Sequence, residues 1–380
     1  MSVMRVERAS AGTWMTRPDS RALRRFDIQL AFYAFALATI GLLIAWTNSA
    51  GSPLEPGSTF TRGLMWYAVG IVAFSVAAAF DYRWLQTFWW ALYLGAVGLL
   101  VLTLLIGVTI NGAQRWISIA GLTFQFSEIA KILMIGVLAA FLTIRKEKLG
   151  KLTTILLAGI LTIPPFFLVL IQPDLGTALV FLAILLGTLF MTGASLRWMA
   201  LGLAAGLSSL PIIWTQLEDY QRRRVLSFLD PTSDPTGAGW QPLQSQIAVG
   251  SGGLFGRGFG ASETSAAFLP VQSTDFAFAG LLEQLGFVGG IVVLMLFVGL
   301  LWRVMLIGWR SETVFGVAFA SGMASMIVFQ LLVNAGMVAG MMPVTGIPLP
   351  FITHGGASLT SIAIGLGLLQ SINIRNARPW

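Results

Sequence analysis

The 380-residue chain has no cysteine and a single histidine, His354. The first absence excludes disulfides, thiol catalysis and thiolate-held metals. The second leaves no basis for a histidine-built metal site or catalytic triad. Charge is scarce too: Asp, Glu, Lys and Arg make up 10% of residues, against about a quarter in an ordinary soluble domain. No Gly-Lys-Ser/Thr phosphate loop appears, nor any zinc-type His-Glu spacing. What is abundant is apolar: 56% of residues are hydrophobic and mean hydropathy is +0.81. These values describe a polytopic membrane protein.

A helix needs ~20 apolar residues to cross the hydrocarbon core. Ten runs qualify as spans: 28–48, 63–80, 86–107, 127–144, 152–171, 177–193, 195–216, 275–302, 313–337 and 356–374. The expected fold is therefore all-α, with about ten transmembrane helices. Residues 1–27 form a basic cytoplasmic segment, and 28–375 a single transmembrane domain. The RPDSRALRRF stretch before the first run resembles the n-region of a signal peptide. Because that run is full length and others follow, it reads as an uncleaved anchor.

With the N-terminus cytoplasmic, sixteen of the 23 Lys and Arg fall on inner segments. This positive-inside bias supports ten spans with both termini inside. It also accounts for the net charge of +7 without nucleic acid. The cations against the bias mark where function should be sought.

One outer connection, 217–274 between spans seven and eight, holds 58 residues. Loops of that length are usually functional or disordered, and Tyr220, Phe228, Trp240, Phe255 and Phe259 are too many apolar anchors for disorder. The glycines of GSGGLFGRGFG permit tight turns against a surface or ligand. They also suggest a loop poorly preorganised on its own.

Four polar clusters share the outer side. In NGAQRWISIAGLTFQFSEIAKI, Glu128 and Lys131 are three apart in the first turn of span four, close enough to pair. Such a pair either neutralises charge so that the helix can enter lipid or positions Lys131 for an anionic ligand; Arg115 nearby, against the charge bias, favours the second. In IQPDLGTAL, Asp174 suits the N-cap of span six. In YQRRRVLSF, Arg222, Arg223 and Arg224 suit anionic headgroups, a docking partner or a diphosphate. In LPVQSTDFAFAGLLEQLGF, Asp275 opens span eight, and Glu283 follows ~12 Å deeper at 1.5 Å per residue. An acid that deep needs a partner or water, so two acids entering from one rim favour a functional Asp275 over a simple cap. The Gly- and Pro-rich stretch 334–360 cannot be regular helix; at membrane depth it must line a cavity or lie buried in protein. It carries His354, more readily structural than functional. Gln244 and Ser245, together with Asp174, Glu283 and His354, complete the candidates for lining a cavity.

These clusters, in this order, resemble the SEDS family of bacterial cell-wall polymerases over residues 25 to 375. NGAQRWI, QFSEIAK, QPDLGTAL, QSQIAVGSGGLFGRGFG, LPVQSTDFAFAGLLEQLGF and PVTGIPLPFITHGGAS each resemble family signatures, and NGAQRWI and PVTGIPLPF are nearer its elongation members than its division members. Three departures stand out: Phe126 replaces a usual Pro, Gln284 a second Glu, and Thr353-His354 a Ser-Tyr pair. The resemblance implies a ten-helix peptidoglycan glycosyltransferase of the bacterial inner membrane, acting on lipid II at the extracytoplasmic face. It places the family's essential acid on Asp275 and its Glu/Lys pair on Glu128 and Lys131. Lys131, Arg115 and the arginines 222–224 are then candidates for the lipid diphosphate. Asp275 is either a general base or the ligand of a divalent cation, magnesium or manganese; no motif settles which. The implied partners are a class B penicillin-binding protein and other membrane proteins of the elongation complex. The competing reading is a flippase or other carrier, in which ionisable groups should sit near mid-membrane and open to both sides.

Overall fold

The computed structural model describes residues 25–49, 53–55, 57–110, 113–119, 122–208, 211, 215, 222, 226, 228, 239–260, 276–353 and 355–376. The chain is a helical bundle with a small sheet at one end. In chain order the helices are α1 (Ile28–Thr47), α2 (Thr59–Ala79), a short α3 (Arg83–Thr87), α4 (Trp89–Ile106), α5 (Phe126–Ile144), α6 (Leu152–Ile171), α7 (Leu175–Met191) and α8 (Leu196–Ser208), followed by α9 (Trp240–Gly252), α10 (Ala277–Arg310), α11 (Val314–Val338) and α12 (Gly356–Asn376). Eight of these are long and apolar enough to cross a membrane among the described residues, and α7 is a shorter apolar helix of 17 residues. The expected seventh span, 195–216, is described continuously only as far as Ser208.

Helix starts follow local chemistry. Asp27 accepts from the Leu30 amide at 2.9 Å, Ser58 from Thr61 at 3.1 Å and Thr313 from Gly316 at 3.2 Å, each filling an otherwise orphan first-turn donor. Burial separates the helices into two sets. The most apolar stretches of α5, α11 and α12 are 78%, 72% and 78% buried, against 17% for α2 and α4. Lipid is as apolar as a leucine core, so close packing of small residues must hold the centre. A Cβ on Gly187 of α7 would collide with Ser325 of α11, and one on Gly322 of α11 would stand 2.9 Å from Ile135 of α5.

The all-α expectation requires one addition. Residues 108–124 form an antiparallel sheet of β1 (Val108–Ile110), β2 (Ala113–Ile119) and β3 (Leu122–Phe124), in that order. Only Asn111-Gly112 separates β1 from β2, a dipeptide suited to a two-residue hairpin. The β-branched and aromatic content of QRWISI favours strand over helix.

The long outer connection contains α9 and a built glycine segment. Arg257 and Gly258 amides donate to the Glu283 and Gln284 carbonyls at 3.0 and 3.1 Å, and Phe287 and Val288 donate back to Gly253 and Leu254 at 3.0 and 3.1 Å. This ladder grips α10 where Gly286 leaves helical geometry (φ 68°, ψ −169°). The carbonyls of the kink, freed from their own helix, take their donors from the loop. A Cβ on Gly256, itself at φ 79°, would collide with the Gln284 carbonyl. The idea of a poorly preorganised loop is thus corrected for residues 253–258. Glycine there permits close backbone contact, which fixes the segment instead of loosening it.

Candidate functional site

Two of the clusters read from the sequence meet at the sheet end of the bundle. β2 presents Arg115, whose guanidinium stands 4.7 Å from the Trp116 ring centroid and places Nη1 3.4 Å from Asp174 Oδ2. Gln125 Nε2 donates to the same oxygen at 3.0 Å, and Oδ1 accepts from the Thr177 amide at 3.1 Å. Asp174 therefore caps α7 and also ties that helix to the sheet and to the start of α5. Gln125 stands out only in the folded chain: nothing local in QFSE marks it, because its partner lies 49 residues away.

One turn into α5, Lys131 Nζ donates to Glu128 Oε1 at 2.7 Å. The two side chains are 1% and 2% exposed. Charges this deep persist only as a pair, so Lys131 brings no net positive charge to its surroundings.

The segment 339–353, which follows α11, is irregular and packed into protein. Ile347, Leu349 and Ile352 are buried, Asn334 Nδ2 donates to the Ile347 carbonyl at 2.9 Å, and Gly176 leaves room for Thr345 and Ile347 against the start of α7. Burial of non-helical backbone is what membrane depth demands. His354 lies outside the described residues.

Glu283 is fully buried beside the kink. Gln284 is buried as well, and among the described residues neither of its amide atoms has a hydrogen-bond partner. Gln244 is half-buried on α9; Ser245, fully buried, donates to the Pro242 carbonyl at 2.9 Å within its own helix. Arg222 donates to the Thr215 carbonyl at 2.8 Å. Arg223, Arg224 and Asp275 lie outside the described residues. The chain resumes at Phe276, which is buried and precedes α10.

An apolar groove of about 690 Å³ runs along α2, α5 and α12, lined among others by Val69, Val76, Phe80, Leu92, Ile129 and Leu368. Its lining includes Ser361 and Ile129, the residue that follows Glu128. Among the described residues no three Asp, Glu or His side chains converge as a metal site would require.

Residues 28–378 match the model of the FtsW/RodA/SpoVE family of cell cycle proteins. The peptidoglycan glycosyltransferase MrdB of Escherichia coli (strain K12) is 36% identical over 349 residues, covering 91% of this chain and 93% of that protein. Stage V sporulation protein E of Bacillus subtilis (strain 168) is 36% identical over 355 residues, covering 91% and 96%. A chain solved in work on the coordination of polymerization and crosslinking by a peptidoglycan synthase complex superposes with a TM-score of 0.79 at 32% identity, covering 92% of this chain and 97% of that one.

Proposed function

The chain belongs to the FtsW/RodA/SpoVE family, and we propose on that footing that it is a peptidoglycan glycosyltransferase that polymerises lipid II into glycan strands at the extracytoplasmic face of the inner membrane. The observation that carries the reading is the family match across 28–378, with a peptidoglycan glycosyltransferase among its 36% identical relatives. The layout of polar groups supports it. Arg115, Gln125, Glu128, Lys131 and Asp174 gather at the sheet end of the bundle, where one-sided chemistry needs them and an alternating-access carrier does not.

Chain extension requires a sugar hydroxyl to attack an anomeric carbon while the bond from that carbon to the lipid diphosphate breaks. In this assignment Asp275 accepts the hydroxyl proton as general base. Cations stabilise the departing diphosphate. Lys131 is neutralised by Glu128, so the net positive charge comes from arginine: Arg222 to Arg224 first, and Arg115 in part, since Asp174 already engages it. An α-linked donor becomes a β-linked product in one inverting displacement, with no covalent enzyme intermediate. Held by Asp275 in place of the base role, a magnesium or manganese ion would supply charge stabilisation to the leaving group.

Cell elongation is the process assigned, together with a class B penicillin-binding protein as partner. The family also includes FtsW, so a division-type role is the alternative, and complementation of elongation- and division-defective cells separates the two. The activity is tested with purified protein in liposomes containing labelled lipid II. Glycan polymer without leaflet exchange supports the assignment. Leaflet exchange without polymer overturns it in favour of a carrier.

A further inference from the structure

The glycine segment that grips the α10 kink has a definite height in the membrane, and α1 serves as the ruler. Arg303 of α10 forms an ion pair with Asp27, the N-cap of α1. A Cβ on Gly299 of α10 would stand 2.6 Å from the ring of Tyr33 of α1. As α1 advances from Asp27 to Tyr33, α10 runs back from Arg303 to Gly299, so the two helices are antiparallel neighbours. α1 has 20 residues, about 30 Å at 1.5 Å per residue, which matches one hydrocarbon core. The same number of residues back from Arg303 along α10 reaches Glu283. The ladder between 253–258 and 283–288 therefore stands at the membrane boundary reached by the far end of α1.

At that boundary the segment is two-sided. α9 turns its small buried residues Ser245, Ala248 and Gly252 toward protein, and a Cβ on Gly252 would collide with the Leu282 carbonyl of α10. Ile247 lies on another face of α9 and is exposed, and beyond it Leu254, Phe255 and Phe259 are 63%, 80% and 61% exposed. Apolar side chains clustered this closely mark a membrane or protein contact. Continuity decides between the two. The Phe287 and Val288 amides donate to the Gly253 and Leu254 carbonyls, and Phe287, Val288, Ile291 and Met295 are an exposed apolar strip along α10, a helix long and apolar enough to span a bilayer. The loop's apolar side chains extend that strip upward. Arg257 stands among them, exposed; its guanidinium reaches the Ser251 carbonyl at 3.4 Å and no other group among the described residues. A cation beside apolar side chains suits the level of lipid phosphates.

We infer that Leu254, Phe255 and Phe259 are an interfacial anchor. They enter the acyl chains of the leaflet on the side of the long connection, with Arg257 at phosphate level, and hold the α10 kink at a fixed depth. The occupant of this surface is bulk phospholipid. The anchor follows from the exposed side chains, the ladder and the length of α1, so it stands apart from the glycosyltransferase reading. Its consequence for the site is positional. Asp275 directly precedes Phe276 and α10, and the same segment that carries the anchor is bonded to α10 from Glu283 to Val288. Part of the long connection is thus a membrane element, and the bilayer itself helps to place the start of α10.

The chain has no cysteine, so a nitroxide on Phe255→Cys or Phe259→Cys reports one site in the full-length protein, reconstituted in vesicles of phosphatidylcholine and phosphatidylglycerol. Power saturation against oxygen, which concentrates in lipid, and a water-soluble nickel chelate gives its depth. Met295→Cys, exposed in mid-α10, is the lipid reference, and Glu55→Cys, exposed between α1 and α2, the aqueous one. Both labels should lie between the references, about 5–10 Å into the headgroup–acyl boundary. Nickel accessibility equal to that at Glu55 would place the patch in water, as a surface for a protein partner, and overturns the anchor. Because each label replaces a side chain under test, a second measurement uses unlabelled protein. Phe255→Ser/Phe259→Ser should speed amide exchange over 283–288 in the same vesicles by several-fold, with helical content unchanged. Wild-type exchange in the folded double variant would show that the kink is held without lipid, and overturns the anchor as well.

Discussion

Lys131 Nζ lies 2.7 Å from Glu128 Oε1 in a pair of which neither side chain is more than 2% exposed, while Glu128 Oε2 has no partner among the described residues. The pair is closed on the lysine side and open on the acid side. A lysine meant to lend net charge to a ligand would stand free; here the open atom is an acceptor.

That asymmetry separates two variants. Lys131→Met leaves a buried carboxylate unpaired and should cost ~3–5 kcal/mol of stability. Glu128→Gln/Lys131→Met, which removes both charges, should recover most of that loss in a thermal melt. If activity returned along with stability in the double variant, neither charge of the pair would have a part in catalysis beyond holding the fold.

Asp275→Asn and Asp275→Ala should fold and insert normally but lose polymerisation by about 10²–10⁴-fold, the contribution typical of a positioned general base. The residue immediately precedes buried Phe276 and α10. Were it only a helix cap, the change would cost ~1 kcal/mol in stability and spare turnover. Near-normal glycan synthesis by folded Asp275→Asn would refute the catalytic assignment. A magnesium and manganese titration of wild type in the same assay reports whether a divalent ion takes part.

Gly256 and Gly250 offer a paired test of the segment against the α10 kink. Gly256→Val meets the Gln284 carbonyl and a φ of 79°, so it should loosen 253–258 and the kink; amide exchange across those residues should accelerate. Gly250, in α9, faces open space, and Gly250→Ala should stabilise by ~0.5–1 kcal/mol through backbone entropy. Slower or equal exchange in Gly256→Val would show that the ladder does not depend on this close approach.

A similar chain is part of a peptidoglycan synthase complex, and a class B penicillin-binding protein is the partner assigned here. Co-reconstitution with that partner should raise polymerase turnover above that of the protein alone, by shifting the population of an active arrangement. Since 253–258 is already fixed to α10, the shift should appear in hydrogen exchange elsewhere in the long connection. Equal turnover at matched concentration would remove activation by the partner while leaving the enzyme assignment in place.

Span positions, scarcity of charge and the positive-inside bias are local or compositional properties, and the sequence alone determined them. Caps such as Asp174 belong with these, because an N-cap acts within one turn of its own residue. The sheet at 108–124 was within reach of the same reasoning, through Asn111-Gly112 and the β-branched residues around it. Other features needed the tertiary structure. Arg115 and Asp174 are 59 positions apart and meet at 3.4 Å; α5, α11 and α12 close on one another where Gly322 and Gly365 leave no room for a side chain. A glutamine in an apolar helix looks like any tolerated polar residue until its burial and its missing partners are known. Sequence pattern dictates which face of a helix is apolar. Which polar atoms end up together, and which remain without partners, depends on the register between helices, and that is decided by side-chain packing across hundreds of residues.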